Sequence, residues 1–360
     1  MTQIKNNINT YADLTAYNAD TNKDYPNVSY IEGTDEVKWA EDPYYTCKVV
    51  YLDGHTKYIT TDTVEQSQVY STDSTSSEYR ENVKKLYINC TTMNFSCDQM
   101  RYVEWIEFKS ATPPTFSTYN WNGVQGFYCP IYVPSESLET YRTAFLNVSA
   151  SAQVICAILS KQNQVEIGHI SFNTTVNVAA NQFFINKGNR ITEVRKNGSI
   201  ISETGTDMIS GTIDVYYKEK RMSPIMMFNT RSVTGKITDV YLDNGTTNLQ
   251  QMLLNGYVDN FTNIPNSIEY MSTIDWYYNK AAADTPTFNV PTSVEYIGPY
   301  CFNEYKGDII CNIATPPILG GGNSFKSSTD YKIYVPAASV SAYQAATYWS
   351  TYAAKIFAIS

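Results

Sequence analysis

Residues 314–349 read "ATPPILGGGNSFKSSTDYKIYVPAASVSAYQAATYW", and residues 111–146 read "ATPPTFSTYNWNGVQGFYCPIYVPSESLETYRTAFL". Both segments contain Ala-Thr-Pro-Pro followed by Ile-Tyr-Val-Pro. Proline lacks the backbone donor that a β-ladder needs, so it ends a strand, and a helix can begin directly after it. Each segment is therefore predicted to contain a strand, a Pro-Pro corner, a loop, a short strand and a short helix. The same unit is used twice.

A shorter repeat precedes each long segment. Residues 264–279, "IPNSIEYMSTIDWYYN", align without gaps with residues 290–305, "VPTSVEYIGPYCFNEY", at a spacing of 26. Residues 83–88, "VKKLYI", align with residues 103–108, "VEWIEF", at a spacing of 20. Periods of about 20 to 29 residues with apolar residues at fixed positions are typical of leucine-rich-type solenoids, in which each turn adds one strand to a parallel stack. One turn alone buries too little apolar surface, so we expect neighbouring turns to stabilise one another.

The repeat at residues 290–305 resembles the BspA-like leucine-rich repeat, whose turns read approximately I-P-x-S-V-x-x-I-G-x-x-A-F. Cys301 stands where that family has a small alanine. The last turn of the family commonly ends in a T-P-P corner and an I-Y-V-P cap, as both long segments here do. The resemblance covers about 83–146 and 237–360, and it implies short solenoid blocks with small capping helices. The positions that agree with the pattern are Val290, Pro291, Ser293, Val294, Ile297, Gly298 and Phe302.

The segments outside the repeats have other patterns. Residues 156–230 alternate polar and apolar side chains, and "KNGS" at 196–199 predicts a tight hairpin because Asn and Gly accept positive φ. The N-terminal part contains hairpin patterns around Gly33 and at Asp53-Gly54. We therefore expect a mainly β chain in four parts. These are a small β-rich N-terminal anchoring region (1–70), a first leucine-rich-repeat-like block with its cap (71–155), an inserted antiparallel β-domain (156–230) and a second such block with a C-terminal cap (231–360).

Composition narrows the classes of partner. The net charge is −9 and Lys and Arg never run beyond a pair, so we expect no nucleic acid partner. No segment approaches the roughly 18 consecutive apolar residues that span a bilayer, so we expect no membrane insertion. Charged residues make up 17% of the chain while tyrosines number 31, which indicates neutral, aromatic contact surfaces. The seven cysteines include no C-x-x-C motif and are predicted to be reduced and mostly buried.

No catalytic or metal-binding motif is evident in the sequence. The two histidines, His55 and His169, have no Cys, Asp or His partner at metal-ligand spacing. Glu104 and Glu107 could form the carboxylate pair of a glycosidase, but a chain with 35 acidic residues offers many such pairs. We predict a protein that is not an enzyme and has no cofactor and no metal site. A carbohydrate-active enzyme is kept as an alternative.

Candidate binding residues lie on the outer faces of the repeat strands. If Val103, Ile106 and Phe108 point inward, then Trp105 and Glu107 point outward, because side chains alternate along a strand. The aligned turn places Lys85 and Tyr87 beside them, and in the later block the same alignment stacks Tyr270 on Tyr296 and Glu269 on Glu295. Exposed columns of aromatic and acidic residues could bind sugar rings or protein loops. Alternatively, these side chains pack against the inserted β-domain or a neighbouring subunit. The predicted binding residues are Tyr87, Trp105, Glu107, Tyr270 and Tyr296.

The N-terminal string "DYPNVSYIEGTDEVKW", residues 24–39, resembles the openings of virion proteins of tailed bacteriophages, particularly crAss-like phages. This resemblance implies a structural head or tail fibre or appendage subunit that contributes to attachment. Such a subunit would be assembled in the host cytoplasm and located in the virion. We expect it to contact other virion proteins through its N-terminal region, to form a homo-oligomer (dimer or trimer), and to contact a host-surface glycan or protein.

The alternative is a BspA-like adhesin on a bacterial cell surface that binds host protein or glycan. It explains the repeats equally well. It also requires an export leader, and the N-terminus "MTQIKNNINTYADLTAYNAD" has no apolar core region of the kind that such leaders contain.

Overall fold

The computed structural model describes residues 44–95, 97, 100, 102–116, 129–147, 157–184, 191–222, 235, 237–250, 261–272, 287–302, 305–325 and 331–360, together with three short strands before residue 44. The protein is mainly β, with several sheets and few helices. The chain divides into two compact units, Met1–Thr46 and Cys47–Ser360. Among the residues described, no helix is long and apolar enough to cross a membrane.

The first unit contains a three-stranded sheet. Strand β1 (Ile8–Tyr11) runs parallel to β2 (Val28–Ile31), and β3 (Glu36–Trp39) runs antiparallel to β2. The antiparallel pair confirms the predicted hairpin, whose turn lies outside the described residues.

The first block of the second unit is built on a six-stranded sheet. Its strands, in spatial order, are β12 (Ile158–Ser160), β11 (Ile131–Val133), β9 (Trp105–Phe108), β7 (Val83–Ile88), β4 (Cys47–Tyr51) and β5 (Thr56–Ile59). The four strands from β12 to β7 are parallel, and β4 and β5 form the predicted hairpin at Asp53-Gly54. Leu86 lies opposite Ile106, which confirms the predicted spacing of 20 residues.

A narrow parallel sheet faces this one. It consists of β6 (Thr63–Glu65), β8 (Thr92–Asn94) and β10 (Thr115–Phe116). The chain alternates between the two sheets as it runs from β7 to β11. Buried residues of both sheets, such as Leu86 and Ile106 from one and Val64 and Met93 from the other, belong to a single hydrophobic cluster. Successive turns therefore share one core.

The next sheet is mostly antiparallel. Its spatial order is β15 (Ser199–Ile201), β14 (Ile191–Lys196), β16 (Met208–Tyr217), β13 (Gly168–Ala179), β17 (Ile237–Leu242) and β19 (Phe261–Asn263). Asn197 and Gly198 have φ values of 48° and 83°, which confirms the predicted tight turn. Strand β17 is antiparallel to β13 on one side and parallel to β19 on the other. The predicted inserted domain therefore shares its sheet with the second block.

The rest of the second block forms two four-stranded parallel sheets. One contains β18 (Asn248–Gln250), β20 (Tyr270–Ser272), β22 (Tyr296–Ile297) and β24 (Ile318–Leu319). The other contains β21 (Phe288–Asn289), β23 (Ile309–Ile310), β25 (Ile333–Val335) and β26 (Ile356–Ala358). Tyr270 lies opposite Tyr296, which confirms the predicted spacing of 26 residues.

The two Ile-Tyr-Val-Pro segments fold alike. After β11 and after β25, the proline leads into a one-turn 3-10 helix and then an α-helix. Ser137 N–H donates to the Pro134 carbonyl and Ser339 N–H donates to the Pro336 carbonyl. The predicted repeated unit is confirmed in these residues.

The described part of the chain contains short helices. The α-helices are α1 (Gln66–Val69), α2 (Leu138–Asn147), α3 (Ala180–Phe183) and α4 (Val340–Ala345), and the 3-10 helices are Arg80–Asn82, Ser135–Ser137, Ala337–Ser339 and Trp349–Lys355.

The predicted boundaries at residues 70, 155 and 230 all fall within the second unit. Residues 47–51, placed in the N-terminal region by the sequence, form β4 and pair with β7 of the first block. Six cysteines in the described part of the chain are buried, as predicted.

Candidate ligand-binding cavity

A cavity of about 460 Å³ opens on the outer face of the six-stranded sheet. In register across β7, β9 and β11, Tyr87 lies opposite Glu107, and Glu107 lies opposite Tyr132. Trp105 precedes Glu107 by two residues and so lies on the same face of the sheet. These four side chains form the floor of the cavity. The volume is in the range of small-molecule binding sites.

The walls come from two segments that flank the antiparallel sheet. Residues 161–165 follow β12, and residues 217–222 end β16 and lead into the second block. The cavity therefore lies where the first block meets the antiparallel sheet. The residues that line it are Tyr87, Glu104, Trp105, Glu107, Lys109, Pro130, Tyr132, Lys161, Gln162, Val165, Tyr217, Lys218, Glu219 and Met222.

Glu107 lies at the centre of the floor, with its side chain only 6% exposed. Its Oε1 contacts the Nζ of Lys161 at 2.6 Å and the Nζ of Lys109 at 2.7 Å. Both lysines are partly exposed and carry the charge that a buried carboxylate requires. Two cations on one oxygen leave Oε2 without a hydrogen-bond partner among the residues that the structure describes.

The other two glutamates of the cavity are also paired. Glu104 lies 3.3 Å from Lys218 and 3.7 Å from Lys85. Glu219 accepts hydrogen bonds from the Arg221 guanidinium, and its Oε2 accepts the Tyr132 hydroxyl at 2.7 Å. Every carboxylate of the cavity thus lies beside a cation.

Aromatic rings supply most of the remaining surface. The Lys85 ammonium lies 4.1 Å from the centroid of the Trp105 ring, a favourable cation–π distance. Burial raises the pKa of the Tyr132 hydroxyl, and the adjacent Glu219 carboxylate raises it further. Burial also raises the pKa of Tyr217. Both phenols are therefore neutral hydrogen-bonding groups at any ordinary pH.

Three of the five predicted binding residues come together in this cavity. Tyr87 and Trp105 are half-buried, and Glu107 is buried. The expected exposure of Glu107 is wrong, because the walls at residues 161–165 and 217–222 cover the strand face on which it lies. The predicted arrangement of Lys85 and Tyr87 opposite Trp105 and Glu107 is confirmed.

The other two predicted residues lie elsewhere. Tyr270 and Tyr296 stack in register, with ring centroids 6.0 Å apart, but they are 5% and 2% exposed. The expectation that they form an exposed face is wrong. The Arg142 guanidinium, from the capping helix of the first block, lies 4.0 Å from the centroid of the Tyr270 ring. The two tyrosines pack into the hydrophobic cluster of the first block, so they pack against neither of the two partners that the sequence analysis named as the alternative.

Several lining residues were not identified from the sequence. Extending the aligned repeat by one turn places Tyr132 beside Glu107, so register alone could have found it. Lys161, Gln162 and Glu219 belong to segments outside the repeats, and no periodic signal points to them. The walls form only when the antiparallel sheet folds against the first block.

The two histidines each pair with aspartate. His55 Nδ1 lies 2.6 Å from Asp53, and His169 Nε2 lies 3.0 Å from Asp214. Within the described part of the chain, no group of three or more His, Cys, Asp or Glu side chains is arranged to hold a metal ion.

No protein-family model matches the chain, and comparisons with curated proteins and with solved structures give no match either.

Proposed function

We propose that the protein is a non-enzymatic structural component of a bacteriophage virion, a head or tail fibre or appendage subunit that contributes to attachment. The cavity is the main support for the binding role. Its floor contains aromatic rings and glutamates, and each glutamate lies beside a cation. Rings and fixed polar groups around a concave site are what a ligand-binding surface requires. The virion setting is supported by the resemblance of residues 24–39 to phage structural proteins.

The chemistry of the cavity favours binding over hydrolysis. A glycosidase requires one carboxyl group to deliver a proton and a second to act as base or nucleophile. Glu104 and Glu107 both line the cavity, but each carboxylate is already ion-paired with two lysine nitrogens. These ion pairs instead hold the side chains in fixed positions.

We interpret the parallel ladders as short leucine-rich-repeat-type solenoid blocks. Support comes from the register, since Asn248, Tyr270, Tyr296 and Ile318 lie opposite one another at spacings of 22, 26 and 22 residues. The chain alternates between two facing sheets in both blocks, as one coil per repeat requires. Such stacks present long side faces, which suits a projecting appendage.

The proposed partners follow from this role. The N-terminal unit, Met1–Thr46, is compact on its own and would contact other virion proteins. A fibre or appendage subunit would assemble as a dimer or trimer. Analytical ultracentrifugation of the purified chain tests this expectation, which a stable monomer at high concentration would contradict.

The decisive experiment fractionates a culture that produces the chain. Phage particles are purified on a density gradient, cell envelopes are prepared from the same culture and from uninfected cells, and the chain is quantified by mass spectrometry. We expect it in the particle band together with capsid and tail proteins. Recovery in the envelopes of uninfected cells, with none in particles, would overturn the virion assignment and favour the surface adhesin.

A further inference from the structure

We propose that the cavity is a binding site for an uncharged pyranose sugar, with the free oxygen of Glu107 accepting a sugar hydroxyl and Trp105 forming the apolar contact. The inference deepens the proposed attachment function and rests on it for the biological use of the site.

The acceptor is Glu107 Oε2. The side chain is 6% exposed, and both lysine contacts are made to Oε1. Oε2 is not sealed from solvent, so a ligand that enters the cavity can donate an O–H to it. Bonds from a neutral hydroxyl to a carboxylate are short and strong. Both lysines contact Oε1, which leaves the other oxygen for the ligand.

Further polar and aromatic groups suit the rest of a sugar ring. Within the described residues the Trp105 indole N–H and the Gln162 side-chain amide have no hydrogen-bond partner, and both residues line the cavity. The indole donates one bond, and the amide both donates and accepts. Sugar hydroxyls also donate and accept, and the C–H face of a pyranose is apolar enough to pack on the rings of Trp105 and Tyr87.

The charge of the lining selects an uncharged ligand. Three glutamates and three lysines line the cavity, so their formal charges cancel. An anionic ligand would compete with Glu107 and Glu104 for the same lysines, and a cationic ligand would compete for the same carboxylates. Either would leave a charge unmatched in a partly buried site, which is unfavourable. A neutral hydroxylated ring leaves every ion pair intact.

The test measures binding of simple sugars to the purified full chain. The probes are the methyl glycosides of glucose, galactose, mannose and N-acetylglucosamine, with the methyl glycoside of N-acetylneuraminic acid as the anionic comparator. Saturation-transfer NMR detects binding, and titration gives Kd. We expect at least one neutral sugar to bind in the millimolar range and the anionic sugar to bind more weakly.

Two variants test the assigned contacts. Glu107→Gln removes the charged acceptor and should weaken binding by at least about tenfold, while Glu78→Gln, which alters an ion-paired glutamate outside the cavity, should not change it. Gln162→Ala should also weaken binding, and because Gln162 is exposed this variant should keep the melting temperature of the wild type. Gln164→Ala, two residues away and not part of the cavity, is its matched control.

The sugar proposal is overturned if no neutral sugar binds, if the anionic sugar binds more tightly than all the neutral ones, or if Gln162→Ala and a folded Glu107→Gln both bind as the wild type does. None of these outcomes depends on where the chain resides. Conversely, a chain absent from virions that still binds a neutral sugar through Glu107 would remove the virion assignment and leave the binding site in place.

Discussion

The two Ile-Tyr-Val-Pro caps have the same local fold but different surroundings. Each cap contains a fully buried tyrosine that connects its helix to the segment before the cap. The Tyr141 hydroxyl donates to the Ser110 carbonyl and the Tyr343 hydroxyl donates to the Ile313 carbonyl, both at 2.9 Å. In each a further strand pairs in parallel with the Ile-Tyr-Val strand, β12 in one case and β26 in the other. The shared tetrad therefore sets the internal structure of the cap.

The caps differ on their outer surfaces. Arg142 follows Tyr141 and is almost fully buried against Tyr270, whereas the equivalent Gln344 is half-buried and donates to the nearby Ala353 carbonyl. Tyr132 in the first cap is buried and bonded to Glu219, whereas the equivalent Tyr334 is half-buried near Phe357, which is 42% exposed. The same unit can end a ladder or carry the next part of the chain, and a few outward residues decide which.

The largest expected effect is common to both caps. Tyr141→Ala and Tyr343→Ala should each lower the free energy of unfolding by about 3–5 kcal/mol, the usual cost of removing a fully buried aromatic ring. The Phe variants should lose only about 1 kcal/mol, because they remove the hydrogen bond alone. Urea unfolding measures both. A small loss for either Ala variant would show that its cap does not hold its ladder together.

The next effect should distinguish the caps. Arg142→Ala should cost about 2 kcal/mol, because it removes a buried cation–π contact and the positive charge close to Glu269. Arg142→Lys should recover only part of this, since an ammonium does not stack as a guanidinium does. Gln344→Ala, the matched variant in the second cap, should stay within about 0.5 kcal/mol of wild type. Equal losses in the two caps would contradict the role given to Arg142.

A smaller difference is expected at the equivalent strand tyrosines. Tyr132→Phe removes a buried bond to a carboxylate and should cost about 1.5–3 kcal/mol, toward the lower value because Arg221 still pairs with Glu219. Tyr334→Phe should be nearly neutral, since the Tyr334 hydroxyl makes no hydrogen bond within the described residues. Thermal melts of the two variants side by side test this. A large loss in Tyr334→Phe would indicate that the outer face of the second cap is covered in solution.

The last expected effect appears only at alkaline pH and contributes nothing at the neutral pH of the preceding measurements. Burial raises the pKa of Cys90 in the first block to about 11 and that of Cys311 in the second to about 12, from 9.0. A thiol with a raised folded pKa contributes stability that is fully present below pH 9 and is lost as pH rises through the folded value. Stability should therefore fall above pH 9, by at most about 1.4 kcal/mol per pH unit for each thiol. Cys311→Ala should make the fall less steep up to about pH 12 and Cys90→Ala only up to about pH 11, while other buried thiols and phenols keep part of the slope. Unchanged curves would contradict the assignment.

Local signals in the sequence predicted the repeated elements well. The spacing of 20 between Leu86 and Ile106 and that of 26 between Tyr270 and Tyr296 follow from apolar positions that must face one core. The turn at Asn197-Gly198 follows from the backbone preferences of those two residues. Each of these signals is contained within one repeat or one hairpin, where local rules apply.

Contacts between segments that are far apart in the sequence could not be predicted from such local patterns. Strand periodicity places Tyr270 and Tyr296 on an outer face, and it contains no information about which other element covers that face. The covering residue, Arg142, lies more than a hundred residues away, and the equivalent position in the second cap is the uncharged Gln344. The same reason explains why Trp105 and Glu107 were found while the walls of their cavity were not.

The double pairing of β17 has a consequence for protein engineering. This strand bonds to β13 on one side and to β19 on the other, so the antiparallel segment is not a module that can be cut out and replaced by a linker. Deleting residues 168–217 would leave one edge of β17 without its hydrogen-bonding partner strand and would expose the apolar side chains of β17 to solvent. A shortened version of the second block designed for display or crystallisation therefore has to keep β13. Foreign sequence is better inserted at the exposed Asn197-Gly198 tip, which lies outside the pairings of β17.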